Sequence, residues 1–263
     1  ESLKYVDAVA ETVDSRIPES SRNPELSDIC ADKPLILLLN KCDLADEKVT
    51  ARWVSMYNAR GVKAIPLDCK SGRGVNNFIP AVKTLLADKI EQNARKGMSG
   101  KALRVMVVGI PNTGKSSFIN KMAGKNRAKT ADMPGVTRSN SWFPVGNGVE
   151  LLDTPGVLWP KFDDPAVGDR LAFIGSVKDT VIDVEELSVR LIKILAEDYP
   201  EKLVVRYGIK DFAGLTPYEV LELIGRKRGM LARGNEVDTE RAANIILDEF
   251  RGGKLGRITL EKP

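Results

Sequence analysis

The sequence predicts an α/β domain with a mainly parallel sheet, followed by a small all-helical domain. Up to about residue 175, short apolar runs alternate with segments of helical periodicity, the pattern of a sheet covered on both faces. From Asp183 onward the periodicity is helical only. The change falls between residues 175 and 183 and sets two expected domains, 1–176 and 177–263.

In chain order, VDAVAETVD reads as a strand ending near Asp14, followed by the turn-like RIPESSRNP and a short helical segment around Glu25 to Ala31. Pro34 restarts the chain into an apolar strand, Leu35 to Leu39, and VKAIPL at 62–67 is the next strand. After the loop DCKSGRG, one long helix is expected, because Val75, Phe78, Ile79, Val82, Leu85, Leu86 and Ile90 recur at spacings of three and four. EQNARKGMSGK then reads as a polar linker. LRVMVVG is a strand, IPNTGKSSFINKMAG a loop entering a helix, and WFPVGNGVELLDT a hairpin whose second strand ends at Asp153. In the second domain a helix runs from Val184 to Tyr199. The next is opened by Thr216 as cap, Pro217 at the first position and Glu219 closing a capping box. The last begins at Asp238, buries Ala242, Ala243, Ile245, Ile246 and Phe250, and ends at Gly252.

Composition excludes several classes of function. The 263 residues carry a net charge of +4, which permits a nucleic-acid partner without demanding one. No apolar run is long enough to span a bilayer and Glu1 opens a polar segment, so a cytoplasmic protein with no membrane partner is expected. Cys30, Cys42 and Cys69 share no metal-binding spacing and read as buried, reduced thiols. There is no histidine, which removes imidazole catalysis and His-ligated metals from this chain.

The chemistry-bearing motifs each follow a predicted strand. Gly109 to Ser117, GIPNTGKSS, contains GxxxxGKS between a strand and a helix. Its amides, from Asn112, Thr113 and Gly114 to Ser117, would cradle phosphates, Lys115 would reach the β and γ groups, and Ser116 would offer a hydroxyl to Mg²⁺. DTPG places Asp153 for the Mg²⁺ shell and the Gly156 amide for sensing the γ-phosphate. Between them, in MPGVTRS, Thr137 is the candidate for a second metal hydroxyl. The catalytic set is therefore Lys115, Thr137 and Gly156. A simple Pro-Gly turn and an ordinary loop threonine are the alternatives for the last two motifs.

The tetrapeptide Asn40, Lys41, Cys42, Asp43 reads N-K-x-D, the pattern that selects guanine. The Asp43 carboxylate can accept from N1 and N2 of that base, Asn40 would brace the loop, and Lys41 would lay its stem on the purine. Cys69 and Lys70, in DCKSG, resemble the end of the loop that closes such pockets. These elements occur in the order base-reading, base-closing, phosphate, switch, metal, which is the usual order cut and rejoined.

With DSRIPESSRNP, NKCDLAD, GIPNTGKSSFIN, MPGVTRS, LLDTPGVLWP, GRKRGMLARG and GGKLGRITLE, the chain resembles the circularly permuted P-loop GTPases of the YlqF group over nearly its whole length. The resemblance implies binding of GTP and GDP and GTP hydrolysis coupled to late assembly of the large ribosomal subunit. It also implies a helical C-terminal domain on ribosomal RNA; separately, a monomer is expected. Arg226, Lys227, Arg228 and Arg233, with Lys254 and Arg257, are the candidate RNA contacts, a solvated basic face being the alternative. Members of that group carry a Trp-Phe-Pro-Gly-His-Met segment whose histidine is the proposed catalytic group. This sequence begins beyond it, so a trimmed form of a longer chain is expected.

Val157 stands where a water-orienting glutamine would, so slow turnover is expected unless a partner, another segment or an ion supplies the missing group. Asn112 resembles the asparagine that holds K⁺ in potassium-activated GTPases, with a turn-stabilising side chain as the equal alternative. Because DTPG leads almost directly into the helical domain, the γ-phosphate is expected to bias that domain's arrangement. Two other classes fit the residues: an ATP-using P-loop enzyme in which NKCD is accidental, and a module that binds GTP with negligible hydrolysis.

Overall fold

The computed structural model describes residues 2–30, 32–124, 141–156, 158, 164–177, 183–209 and 211–263. The strands among them are β1 (Ala8–Asp14), β2 (Leu35–Asn40), β3 (Lys63–Pro66), β4 (Leu103–Val108), β5 (Ser141–Gly146) and β6 (Val149–Asp153). They form one sheet in the order β3-β2-β1-β4-β6-β5. Every pairing is parallel except the edge hairpin of β5 with β6. Successive strands step outward from β1 to β3, and the chain then returns to β4 on the other side of β1. The switch point lies between β1 and β4, where an open α/β sheet leaves a crevice at the carboxyl ends of its strands.

The period-two alternation of the strands supplies two apolar faces. Ala8, Ala10, Ile36, Leu38, Val105, Val107 and Leu151 point to one side, under Phe78, Val82 and Phe118. Val13, Leu37 and Leu39 point to the other, under Val49, Trp53 and Tyr57, while Val9, Met106 and Leu152 pack with Val6 and Leu26.

The helices covering this sheet are α1 (Leu26–Ile29), α2 (Glu47–Ala59), α3 (Phe78–Leu85), α4 (Ala87–Arg95) and α5 (Lys115–Ala123). Sequence reasoning missed α2, although its cap was legible: the Asp46 carboxylate accepts from the Val49 amide at 2.9 Å. The single long helix expected from Val75 to Ile90 is a 3₁₀ turn followed by α3 and α4, broken at Leu86, and Ile90 is exposed. Only the first part of that apolar stripe reaches the core, because the chain turns once Leu86 is buried. The segment read as a linker is helical as far as Arg95.

Two compact units result, 1–160 together with 261–263, and 161–260. The division expected at 176/177 thus falls earlier, because α6 (Pro165–Phe173) packs with the helical unit. Phe173 meets Phe250 edge-on at 6.4 Å, and Arg251 donates to the carbonyls of Phe173 (3.1 Å) and Ala172 (2.9 Å). That unit continues with α7 (Val184–Asp198), α8 (Pro200–Tyr207), α9 (Pro217–Lys227) and α10 (Thr239–Arg251). The capping box at Thr216 is formed, with Glu219 accepting from the Thr216 amide at 2.7 Å. In α10 the buried face is Ala242, Ala243, Ile246, Leu247 and Phe250, and Ile245 is half-buried rather than buried. Among the described residues no helix is long and apolar enough to cross a membrane.

Phe118 is fully buried and meets Phe78 edge-on with centroids 5.0 Å apart, fastening α5 and α3 to the same face of the sheet. Phe118→Ala is expected to destabilise the first unit by about 3–5 kcal/mol, read as a lowered urea midpoint.

Candidate functional site

At the carboxyl edge of β4 the chain turns through Gly109 to Gly114 into α5. A Cβ at Gly109 would lie 2.1 Å from the Thr12 hydroxyl, and one at Gly114, where φ is +92°, would lie 2.0 Å from the Asn40 amide nitrogen. Both glycines are thus required by close approach of β1 and β2 to the loop. Thr113 is fully buried; its hydroxyl donates to the Ile110 carbonyl at 2.9 Å and shares a 2.9 Å bond with the hydroxyl of Thr12. Ser116 and Ser117 are exposed in the first turn of α5, where backbone N–H groups and the helix dipole favour an anion.

Lys115 is buried, and its ammonium donates to Asp153 Oδ1 at 2.7 Å across the β4–β6 pair. Asp153 ends β6, and the next residue, Thr154, donates to the Val107 carbonyl at 2.8 Å, drawing the DTPG turn toward β4. Gly156 lies against the phosphate loop, where an added Cβ would be 3.2 Å from the Gly109 carbonyl oxygen. Thr137, Val157 and Trp159 lie outside the described residues.

The N-K-x-D turn follows β2 directly. The Asn40 carboxamide donates to the Thr113 carbonyl at 2.8 Å and accepts from the Cys69 amide at 3.1 Å. One side chain therefore ties the N-K-x-D turn to the loop from Gly109 to Gly114 and to the DCKSG loop after β3. Lys41, with φ of +57°, donates from its ammonium to the Asn112 carbonyl at 2.6 Å. Asn112 is itself left-handed, φ +64°, with an exposed side chain. Asp43 is half-buried. In DCKSG the Asp68 carboxylate accepts from the amides of Lys70 (2.8 Å) and Ser71 (3.2 Å), shaping the turn; Lys70 is exposed. Burial, helped by the nearby Asp68 charge, pushes the Cys69 thiol up to about 12, so it is a neutral, inert wall.

The structure thus brings together Asn40, Lys41, Cys69, Asn112, Thr113, Gly114, Lys115, Asp153 and Gly156 at one edge of the sheet. Sequence reasoning read a turn after β1 but gave its first residues, Asp14 and Ser15, no part in the site. Ser15 donates to the Asn40 carbonyl through its amide (2.9 Å) and its hydroxyl (2.7 Å), and Asp14 Oδ2 lies 3.0 Å from the Lys41 ammonium. The available signal was the polar run Asp14, Ser15 and Arg16 closing a strand that already holds Glu11 and Thr12 among its apolar residues. Their partners are remote in sequence.

The oxygen donors Ser116 and Asp153 suit Mg²⁺, a hard cation that keeps waters and phosphate oxygens among its ligands and needs no all-protein cage. Substituting Gly114→Ala should weaken nucleotide binding about tenfold or more, read by titration with a fluorescent nucleotide, because the new methyl displaces Asn40.

Residues 104–218 match the family described as 50S ribosome-binding GTPase. The match opens within β4 and leaves out β1, β2 and β3, so the strand carrying NKCD precedes it. Over its full length the chain is 42% identical to ribosome biogenesis GTPase A of Bacillus cereus, 88% of which it covers. It is 33% identical, over 99% of its length, to the Thermotoga maritima protein of the same name, again covering 88% of that protein. Among solved structures it resembles GNP-bound YlqF from T. maritima, with a TM-score of 0.66 at 30% identity, covering 99% of this chain and 94% of that one. A GDP-bound structure of TM YlqF gives a TM-score of 0.68 at 30% identity, with 99% and 96% coverage.

Proposed function

The chain belongs to the ribosome biogenesis GTPase A family, the YlqF group, and on that premise we propose that it binds and hydrolyses GTP as an assembly factor acting late in maturation of the large ribosomal subunit. The observation that carries the nucleotide half of this reading is the Asn40 carboxamide, bonded at once to the phosphate loop and to the DCKSG loop. A turn that met NKCD by accident would have no reason to be joined to both. Asp43 then reads guanine through two acceptor oxygens, and Lys41 supports the purine.

On binding, Lys115 exchanges part of its contact with Asp153 for the β and γ phosphate oxygens, so the buried ammonium keeps an anionic partner in both states. Ser116 and Asp153 would hold Mg²⁺, with Thr137 as a further hydroxyl ligand, and the ion would neutralise charge on the phosphates. The Gly156 amide reports the γ-phosphate from its place against the loop. Valine at 157 cannot orient water, so intrinsic turnover is slow and rises when the ribosomal precursor, or K⁺ held near Asn112, supplies the missing group. GTP favours the ribosome-bound state of this monomer and GDP its release.

For RNA, the exposed cations Arg226, Lys227, Arg233 and Lys254 are the contacts. Arg228 has a structural share, lying 3.5 Å from Glu249 and 5.5 Å from the centre of the Tyr207 ring.

Asp43→Asn should move preference from guanine toward xanthine nucleotide by about tenfold or more, measured by competition; an unchanged preference, or ATP competing equally with GTP in the wild type, would sink the guanine reading. Single-turnover hydrolysis should accelerate several-fold or more when large-subunit precursors are added in potassium. The double reversal Arg226→Glu with Lys227→Glu should abolish that acceleration while GTP affinity stays unchanged. No acceleration by precursors in either potassium or sodium would favour a GTP-dependent binding module instead.

A further inference from the structure

The turn after β1 carries a buried charge cluster that neither the phosphate loop nor the metal site uses. Asp14 is wholly buried at the end of β1. Its Oδ1 accepts from the amide (3.0 Å) and Nε (2.9 Å) of Arg16, and its Oδ2 from Arg16 Nη2 at 2.8 Å. The guanidinium is buried too, at 1% exposure. The same Oδ2 lies 3.0 Å from the Lys41 ammonium.

An Asp–Arg pair satisfied only by itself would already be complete in charge, and burying it brings little net stability. The third charge is what needs a reason. Lys41 keeps a quarter of its side chain exposed and could extend into water, yet it bends between Asp14 and the Asn112 carbonyl. Its ammonium is thereby held between two fixed acceptors, and the stem is restrained with it. Ser15, next to Asp14, holds the Asn40 carbonyl by two bonds, so consecutive residues of one turn fix the first two residues of N-K-x-D. Burial alone would raise the Asp14 carboxyl, but Arg16 and Lys41 outweigh it and hold the group well below the usual carboxylate range, so it stays anionic.

We propose that Asp14 is a positioning residue for nucleotide binding: braced by Arg16, it holds Lys41 against the phosphate loop so that the purine platform exists before nucleotide arrives. This rests on the nucleotide site proposed above. Ordering the long Lys41 side chain in advance removes an entropy cost from binding.

A double-mutant cycle tests it, using Asp14→Asn, Lys41→Met and both together, with equilibrium titration and dissociation rates of fluorescent GDP and steady-state GTP hydrolysis. Asp14→Asn should weaken GDP about tenfold, mainly by faster dissociation, and raise KM with kcat unchanged, as loss of uniform binding requires. In the Lys41→Met background the same change should have no further effect on affinity. An equal loss in both backgrounds, a fall in kcat with KM unchanged, or no change in affinity would each overturn the proposal. If the lone Arg16 charge prevents Asp14→Asn from folding, Asp14→Asn with Arg16→Gln replaces it in the cycle with the same expected outcome. A wild-type chain that preferred ADP to GDP would overturn the guanine reading, while the cycle read with ADP would still decide the role of Asp14. One that held neither would overturn both.

Discussion

Everything at the nucleotide edge depends on one carboxamide. Asn40 is nearly inaccessible and serves as donor and acceptor at once, its amide nitrogen donating to the Thr113 carbonyl and its oxygen accepting from the Cys69 amide. The bonds cross from β2 to the loops after β4 and β3. In a dry site neither backbone group has water as an alternative partner, so removing the side chain would leave both unsatisfied. It also explains Gly114, whose missing Cβ is the space the amide nitrogen occupies.

That joint makes the order of the chain immaterial to the site. The parallel sheet brings the ends of β1, β2, β3, β4 and β6 to one edge, and a loop at that edge can be reached from either end of the polypeptide. Cutting the usual order between base and phosphate motifs therefore leaves the geometry and changes only where the chain enters. A consequence is that the strand ending in Asp153 is followed closely by the second compact unit, while Glu261–Pro263 return to the first. There the Glu261 carboxylate accepts from the Glu19 amide at 2.7 Å and the Glu261 carbonyl from Trp53 Nε1 at 3.1 Å.

Buried charges are grouped rather than scattered. Asp14 with Arg16 and Lys41, and Lys115 with Asp153, pair opposite signs at the carboxyl ends of the strands, while Glu11 with Arg22 does so midway along β1 and Glu249 with Arg206 in the helical unit. Such pairs contribute little net stability, and leaving one partner alone is costly. The two groups at the carboxyl ends of β1, β2 and β6 lie beside the proposed nucleotide site and fit roles in holding side chains ready.

The sequence by itself determined what depends on neighbours along the chain: apolar runs for the strands, glycines and lysine for the phosphate loop, NKCD after its strand, and the caps at Thr216 and Asp238. It misled where the local pattern was weak or incomplete. Val49, Trp53 and Tyr57 recur every four residues but stand among many polar ones, so the apolar stripe of α2 is thin, and nothing local marks the break at Leu86 that leaves Ile90 exposed. Only the tertiary structure decided that α6 joins the helical unit, through Phe173 and Arg251, and that Asp14 and Ser15 contact the N-K-x-D turn. Those contacts join residues tens of positions apart, and a single side chain at the end of a strand carries no sign of the partner the sheet will bring beside it.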